Sequence, residues 1–204
     1  MNEGRKERAD AARNRRAILA ATEKLLACHR AQDISMDQVA AEAGVGKGTI
    51  FHRFGSRTGL MTALMYERAQ ALSEAITAGP PPLGPGASGR DRLIAFLDAV
   101  LEMVARNKSL LAELAHTTAA EAARSGEAKP TGEGGGKPVY SFWHGHLSAL
   151  LAAERPGVDA DLTAHLVLGA LHSEPVLARL ATDGPEEVAA ALRKMVRALL
   201  DAPA

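Results

Sequence analysis

Between Ile34 and Leu60 the chain reads I-S-M-D-Q-V-A-A-E-A-G-V-G-K-G-T-I-F-H-R-F-G-S-R-T-G-L. Two short helical patterns meet there, at Ala43-Gly44-Val45. The second, Lys47 to Arg53, makes about two turns, with Ile50 and Phe54 on one side. Its other side carries Lys47, Thr49, His52 and Arg53. A helix this brief is a poor core element; it offers a row of cationic and hydrogen-bonding groups suited to a polyanion. Lys47 can reach a guanine edge or a phosphate, and Thr49 a thymine methyl or a phosphate. Gly48 has no side chain, so the backbone can come close to a base. The stretch reads as a helix-turn-helix that contacts DNA.

Catalytic and cofactor chemistry finds less support. Gly-Lys-Gly-Thr at Gly46 to Thr49 lacks the glycine spacing and the Gly-Lys-Ser/Thr order of a phosphate loop, and the run Gly134 to Lys137 is followed by Pro138. No nucleophile elbow or paired metal motif is present, so the chain is not expected to be an enzyme, and no cofactor is expected. His144 and His146 are two apart and fall on different sides of a helix, a poor chelate. His165 and His172 are seven apart and share a face, which keeps a metal-sensing regulator open as an alternative. A non-specific architectural DNA protein would need a stronger positive charge and no second domain.

Bulky and polar groups are rare on the apolar helices of the C-terminal part. They are Phe96, Met103, His116, Tyr140, Trp143, His144, Leu147, His165 and His172. Singly, each reads as core filler or a satisfied histidine. Together they fit a mostly apolar cavity with a few polar handles, and so a hydrophobic or aromatic effector.

These residues need a helical scaffold, and the composition supplies one. The chain has 204 residues, 47% of them apolar but only 3% aromatic, and the apolar set is dominated by Ala, Leu and Val. That mixture favours helices over sheet. Cys28 is the single cysteine, which excludes an internal disulfide framework and fits a reducing cytoplasm. No apolar run approaches the roughly 20 residues of a membrane span, and the N-terminus has no signal-peptide core. Net charge is zero, yet residues 1–68 hold 12 Lys/Arg against 8 Asp/Glu, and the remainder 12 against 16. A basic region facing nucleic acid and an acidic body are implied.

Along the chain, Met1 to Arg13 reads as a frayed charged arm, either a solubilising tail or a phosphate-seeking one. A first helix is expected over Ala11 to Cys28, with Ile18, Thr22, Leu25 and Leu26 as its stripe and Arg13, Arg15 and Arg16 near its start. The backbone dipole disfavours cations there, so a nearby anion would relieve them. Ser35-Met36-Asp37-Gln38 is a capping box, with Met36, Val39, Ala40 and Ala43 buried behind it, and Gly44 supplies the left-handed stop. Ser56 caps a helix to about Ala78, with Leu60, Leu64 and Ala71 inward. The Pro/Gly run Gly79 to Gly89 cannot be helical and marks the boundary between residues 1–78 and 90–204. Further helices are expected over Asp91–Arg106, Ser109–Arg124, Pro138–Glu154, Asp159–Leu180 and Pro185–Leu200. A Gly-rich loop is expected from Ser125 to Lys137, and a bend at Pro175.

About the first 70 residues resemble the DNA-binding domain of the TetR family of repressors. The likeness is carried by Ala40-x-x-Ala43-Gly44-Val45-x-Lys47-Gly48-Thr49-Ile50 and Phe54-x-Ser56-Arg57-x-x-Leu60. It implies an all-α fold of about nine helices: a three-helix DNA-binding domain followed by a ligand-binding and dimerisation bundle. It also implies that Phe51, His52, Arg53, Ser35 and Arg57 lie against the DNA backbone. The chain has Gly46 where the family usually has Ser or Thr, and Phe51 where Tyr is usual, so two hydroxyls are lost. Arg53, where His or Tyr is usual, would supply charge instead. In the family the last two helices pair with those of a second subunit. Apolar residues around most of their girth fit that independently: Val188, Leu192, Met195, Leu199, Val196 and Leu200 in the last helix, and Leu162, Leu166, Gly169, Leu168, Leu171 and Leu180 before it. A homodimer would set two recognition helices about 34–36 Å apart on a palindromic operator, and a small effector would shift that spacing to release repression.

Overall fold

A computed structural model describes residues 3–107 and 136–202, with side chains from 9 to 107 and from 139 to 202, and all its regular elements are helical. They are α1 (Glu3–Cys28), a 3-10 turn (Ala31–Asp33), α2 (Met36–Ala43), α3 (Lys47–Phe54), α4 (Arg57–Ala78), α5 (Gly89–Arg106), α6 (Gly136–Glu154), α7 (Ala160–Leu171), α8 (Glu174–Thr182) and α9 (Pro185–Asp201). The chain parts into two compact units inside α4, between Met65 and Tyr66, so the Pro/Gly turn after α4 belongs with the second. The expected helix Ser109–Arg124 and most of the Gly-rich loop lie outside the described residues.

The first unit is built on α1 to α3 and the start of α4. Ile18, Leu19, Ile34, Val39, Ile50, Leu60, Met61 and Leu64 form its core, with Leu25, Leu26, Ala43 and Phe54 packed partly against it. Thr22, in the expected stripe, is fully buried and gives its hydroxyl proton to the Ile18 carbonyl at 2.8 Å. α1 begins at Glu3, well before the expected Ala11, because Glu, Arg, Lys and Ala carry a helix by propensity with no apolar stripe to reveal it. Arg13, Arg15 and Arg16 therefore sit mid-helix, and the end-of-helix argument for a nearby anion falls. Arg13 pairs with Asp10, and Arg15 lies over the Phe54 ring at 5.6 Å.

In the second unit Leu93, Phe96, Leu97, Val100, Leu101 and Val104 of α5 are buried, as are Trp143, Leu147 and Leu151 of α6. α6 packs on α5 and α7, and α9 packs on α5. Arg193 of α9 reaches Asp98 of α5 at 3.1 Å. Three expectations fail here. Ala71 is exposed, while Ala69 and Ile76 are buried: the buried stripe of α4 shifts where the helix passes from one core to the next. The single helix Asp159–Leu180 is two, α7 and α8, separated at His172-Ser173. The bend assigned to Pro175 is thus a helix start, since proline is tolerated in the first turn, where amides lack partners anyway.

Candidate nucleic-acid interface

α3 is positioned by α2 and by two glycines that do different jobs. Ser35 Oγ accepts the Gln38 amide at 3.2 Å, and the Gln38 side chain accepts the Ser35 amide at 2.8 Å, completing the capping box. Gly44, at φ 65° and ψ 32°, ends α2 in the left-handed region and turns the chain sharply into α3. At the far end of α3, a Cβ on Gly59 would lie 2.1 Å from the Phe54 carbonyl oxygen, so the α3–α4 corner closes only around glycine. Ser56 Oγ accepts the Gly59 amide at 3.0 Å and caps α4 as expected.

Ile50 fixes α3 to the core, fully buried. Lys47, Gly48, Thr49, Phe51, His52 and Arg53 are all exposed, so the structure brings six of the eight expected DNA-facing residues onto one short helix. Ser35 is exposed too; its hydroxyl oxygen is engaged in the cap, but its proton is available to an external acceptor. Arg57 is half-buried and donates to the Ala31 carbonyl, an internal tie holding the 3-10 turn. Lys47 Nζ lies 2.8 Å from Asp37 Oδ1 and 5.9 Å from the Phe51 ring centroid. A Cβ on Gly48 would meet nothing within 4 Å, so the fold itself leaves room there for a side chain.

The residues expected to hold an effector separate into three groups. Phe96, Trp143 and Leu147 are buried in the core, with the Phe96 and Trp143 rings edge-on at 6.4 Å; Met103 is half-buried. Tyr140, His144 and His165 converge, the two imidazoles stacked at 3.8 Å and the Tyr140 hydroxyl 2.7 Å from His165 Nδ1. His172 turns its Nδ1 onto the Leu168 carbonyl at 3.0 Å, and His116 lies outside the described residues. An open groove of about 410 Å³ is lined by Gln70, Ser73, Glu74, Thr77 and Ala78 of α4 with Val139 and Phe142 of α6, none of which the sequence singled out. Trp143 stands behind it, its Nε1 donating to Ser73 Oγ at 3.1 Å. The readable signals were the i, i+3 pair Val139 and Phe142 and the uniform polar face Gln70, Ser73, Glu74, Thr77 at helical spacing.

His146, named only as a poor partner for His144, points the other way. Its ring stands edge-on to Phe96 at 5.3 Å, and burial, then the nearby Arg92 charge, hold its pKa below the ordinary histidine value.

Residues 18–64 match the family described as bacterial regulatory proteins, tetR family. The chain is 30% identical over 96 residues to the uncharacterized HTH-type transcriptional regulator TtgW of Pseudomonas putida, covering 47% of this chain and 69% of TtgW. It has the same identity and length of match to the HTH-type transcriptional regulator SrpR of Pseudomonas putida, 44% of which is covered. The chain thus spans less than half of SrpR. Among solved structures, the transcriptional regulator FadR from Bacillus subtilis in complex with stearoyl-CoA shares the fold, with a TM-score of 0.59 at 15% identity over 92% of this chain and 98% of that one.

Proposed function

The chain belongs to the tetR family of bacterial regulatory proteins, and from that premise we propose that it is a homodimeric repressor, released from a palindromic operator by a small hydrophobic or aromatic effector. It is a transcriptional regulator with a DNA-binding domain, of a family that are regulators and not enzymes. No described helix is long and apolar enough to cross a membrane.

The observation that carries the DNA-reading assignment is α3: one buried anchor, Ile50, under an exposed face of Lys47, Thr49, His52 and Arg53. Phosphate contacts from His52, Arg53 and Ser35 would fix register, and Lys47, Gly48 and Thr49 would face base edges. The Asp37 carboxylate holds Lys47 in readiness and is exchanged for DNA on binding.

Support for the dimer comes from large apolar side chains left in water: Leu162 at 53% exposure, Leu166 at 65% and Met195 at 51%. Support for an effector comes from the open groove between α4 and α6. α4 supplies Leu60, Met61 and Leu64 to the core of the first unit and Gln70 to Ala78 to that groove. A ligand that displaces α4 would therefore act on the element that carries the α3–α4 corner, a population shift between two states of different operator affinity. The stearoyl-CoA held by the Bacillus subtilis regulator makes long-chain acyl thioesters the first effectors to try.

Selection of binding sites from random duplex DNA tests the reading. A palindrome with half-sites about one helical turn apart is expected; its absence overturns the dimeric reader. Equal operator affinity with and without each hydrophobic ligand would remove the inducible part.

A further inference from the structure

Outside the nucleic-acid interface, α6 and α7 bring together three side chains able to ligate a metal: His144, Asp161 and His165, whose ligand atoms all lie within 4.8 Å of one another. We propose that they form a three-ligand site for a borderline divalent transition cation, with Zn²⁺ as the type. This goes beyond the DNA-reading assignment and does not depend on it.

Two imidazoles and one carboxylate suit Zn²⁺ better than Mg²⁺ or Ca²⁺, which take oxygen donors. Bonds of about 2.0–2.2 Å set neighbouring ligand atoms of a tetrahedral site about 3.4 Å apart. His144 Nε2 is 3.5 Å from Asp161 Oδ1, and His165 Nε2 is 3.9 Å from Asp161 Oδ2. Asp161 and His165 are four apart on α7, the spacing that puts two side chains on one helical face. The imidazoles need only splay from their 26° stack, and the exposed Asp161 can follow. Tyr140 supplies the outer support such sites use: its hydroxyl at His165 Nδ1 leaves Nε2 toward the cation. His144 Nε2 lies 3.1 Å from the Asp161 carbonyl and would exchange that contact for the metal. Water completes the coordination at the exposed edge. The pairing that spacing suggested, His165 with His172, is not the one the fold assembles.

Competition of the full-length protein with a chromophoric chelator for Zn²⁺ alone tests the site. About one Zn²⁺ per chain is expected. His144→Ala, Asp161→Asn and His165→Ala should each weaken binding about tenfold or more, and Tyr140→Phe about tenfold with unchanged stoichiometry, as outer-shell partners do. Circular dichroism of each variant checks the fold; if a histidine variant unfolds, Asp161→Asn, at an exposed carboxylate, decides. Wild-type affinity no better than that of the His144→Ala/His165→Ala double variant overturns the proposal. So does a loss confined to His165→Ala and His172→Ala.

Discussion

Lys47 is engaged before any DNA arrives, by Asp37 on α2 and by the Phe51 ring beneath its ammonium, whereas Gly48 beside it is constrained by nothing in the chain. The contrast separates folding from reading. Gly48→Ala should raise stability by up to about 1 kcal/mol, since alanine is the better helix residue, while operator affinity falls about tenfold or more. Thermal unfolding and operator titration on the same sample check both; an affinity that does not change would mean that no base approaches this backbone. Arg53 lies exposed on the same helix, and Arg53→Ala should weaken binding to all sequences about equally and flatten the salt slope by about one unit. Loss of sequence preference at unchanged salt dependence would instead make Arg53 a base reader. His146 gives a pH signature of a different kind. Its folded pKa is depressed by burial, so the unfolded chain binds the proton more readily. The resulting stability is present above the ordinary value of 6.5 and is lost as pH falls from there through the folded value. Urea unfolding between pH 7 and 5 should show the wild type losing more stability than His146→Gln; parallel curves would clear His146 of the effect.

At the scale of elements, the corner between α3 and α4 is the least forgiving place. A Cβ on Gly59 would meet the Phe54 carbonyl oxygen of the preceding helix, and backbone cannot yield as a flexible side chain does. Gly59→Ala should cost about 1–3 kcal/mol in chemical denaturation and reduce operator binding through the misplaced α3, the reverse in sign of Gly48→Ala for stability. A neutral result would show that the corner relaxes. Elements with local punctuation were legible from residues alone: the Ser35 box, the Gly44 stop, Ser56 as cap and Ile50 as anchor all depend on neighbours within about four positions. Elements set by longer-range packing were not. The early start of α1 has no apolar periodicity to betray it. The break at His172-Ser173 hides inside an apolar run, and Pro175 signalled an interruption without fixing on which side it falls. The residues expected to face DNA could be gathered from the sequence because one short helix carries most of them, and the structure leaves those six exposed. The groove lining left local signals on α4 and α6 separately, but nothing local joins the two helices across more than sixty residues, and rarity of residue type pointed to core aromatics such as Phe96 and Trp143 instead.

For the whole molecule, the informative quantity is apolar surface left over once each core is complete. α7 buries Ala164, Val167, Leu168 and Leu171 yet leaves Leu162 and Leu166 more than half exposed, and α9 buries Ala189, Leu192 and Val196 while Met195 stays exposed. Transfer of apolar area from water is worth roughly 25 cal/mol per Å², so such faces favour association, and a closed two-fold pair is the commonest way to cover them. The proposed dimer would make the protein a two-headed reader, because a palindrome is bound tightly only when both half-sites are engaged together. Leu166→Glu separates this from a folding role. Leu166 is 65% exposed in the single chain, so the substitution should change monomer stability by no more than about 0.5 kcal/mol. In a dimer through α7 it would bury two unpaired carboxylates facing each other, which the low dielectric of an interface penalises heavily. Sedimentation velocity should then show a monomer, and operator affinity should drop toward that of an isolated half-site while helix content is retained. A Leu166→Glu protein that still sediments as a dimer would place the interface on another face, and with it the element through which an effector could change the spacing of the two heads.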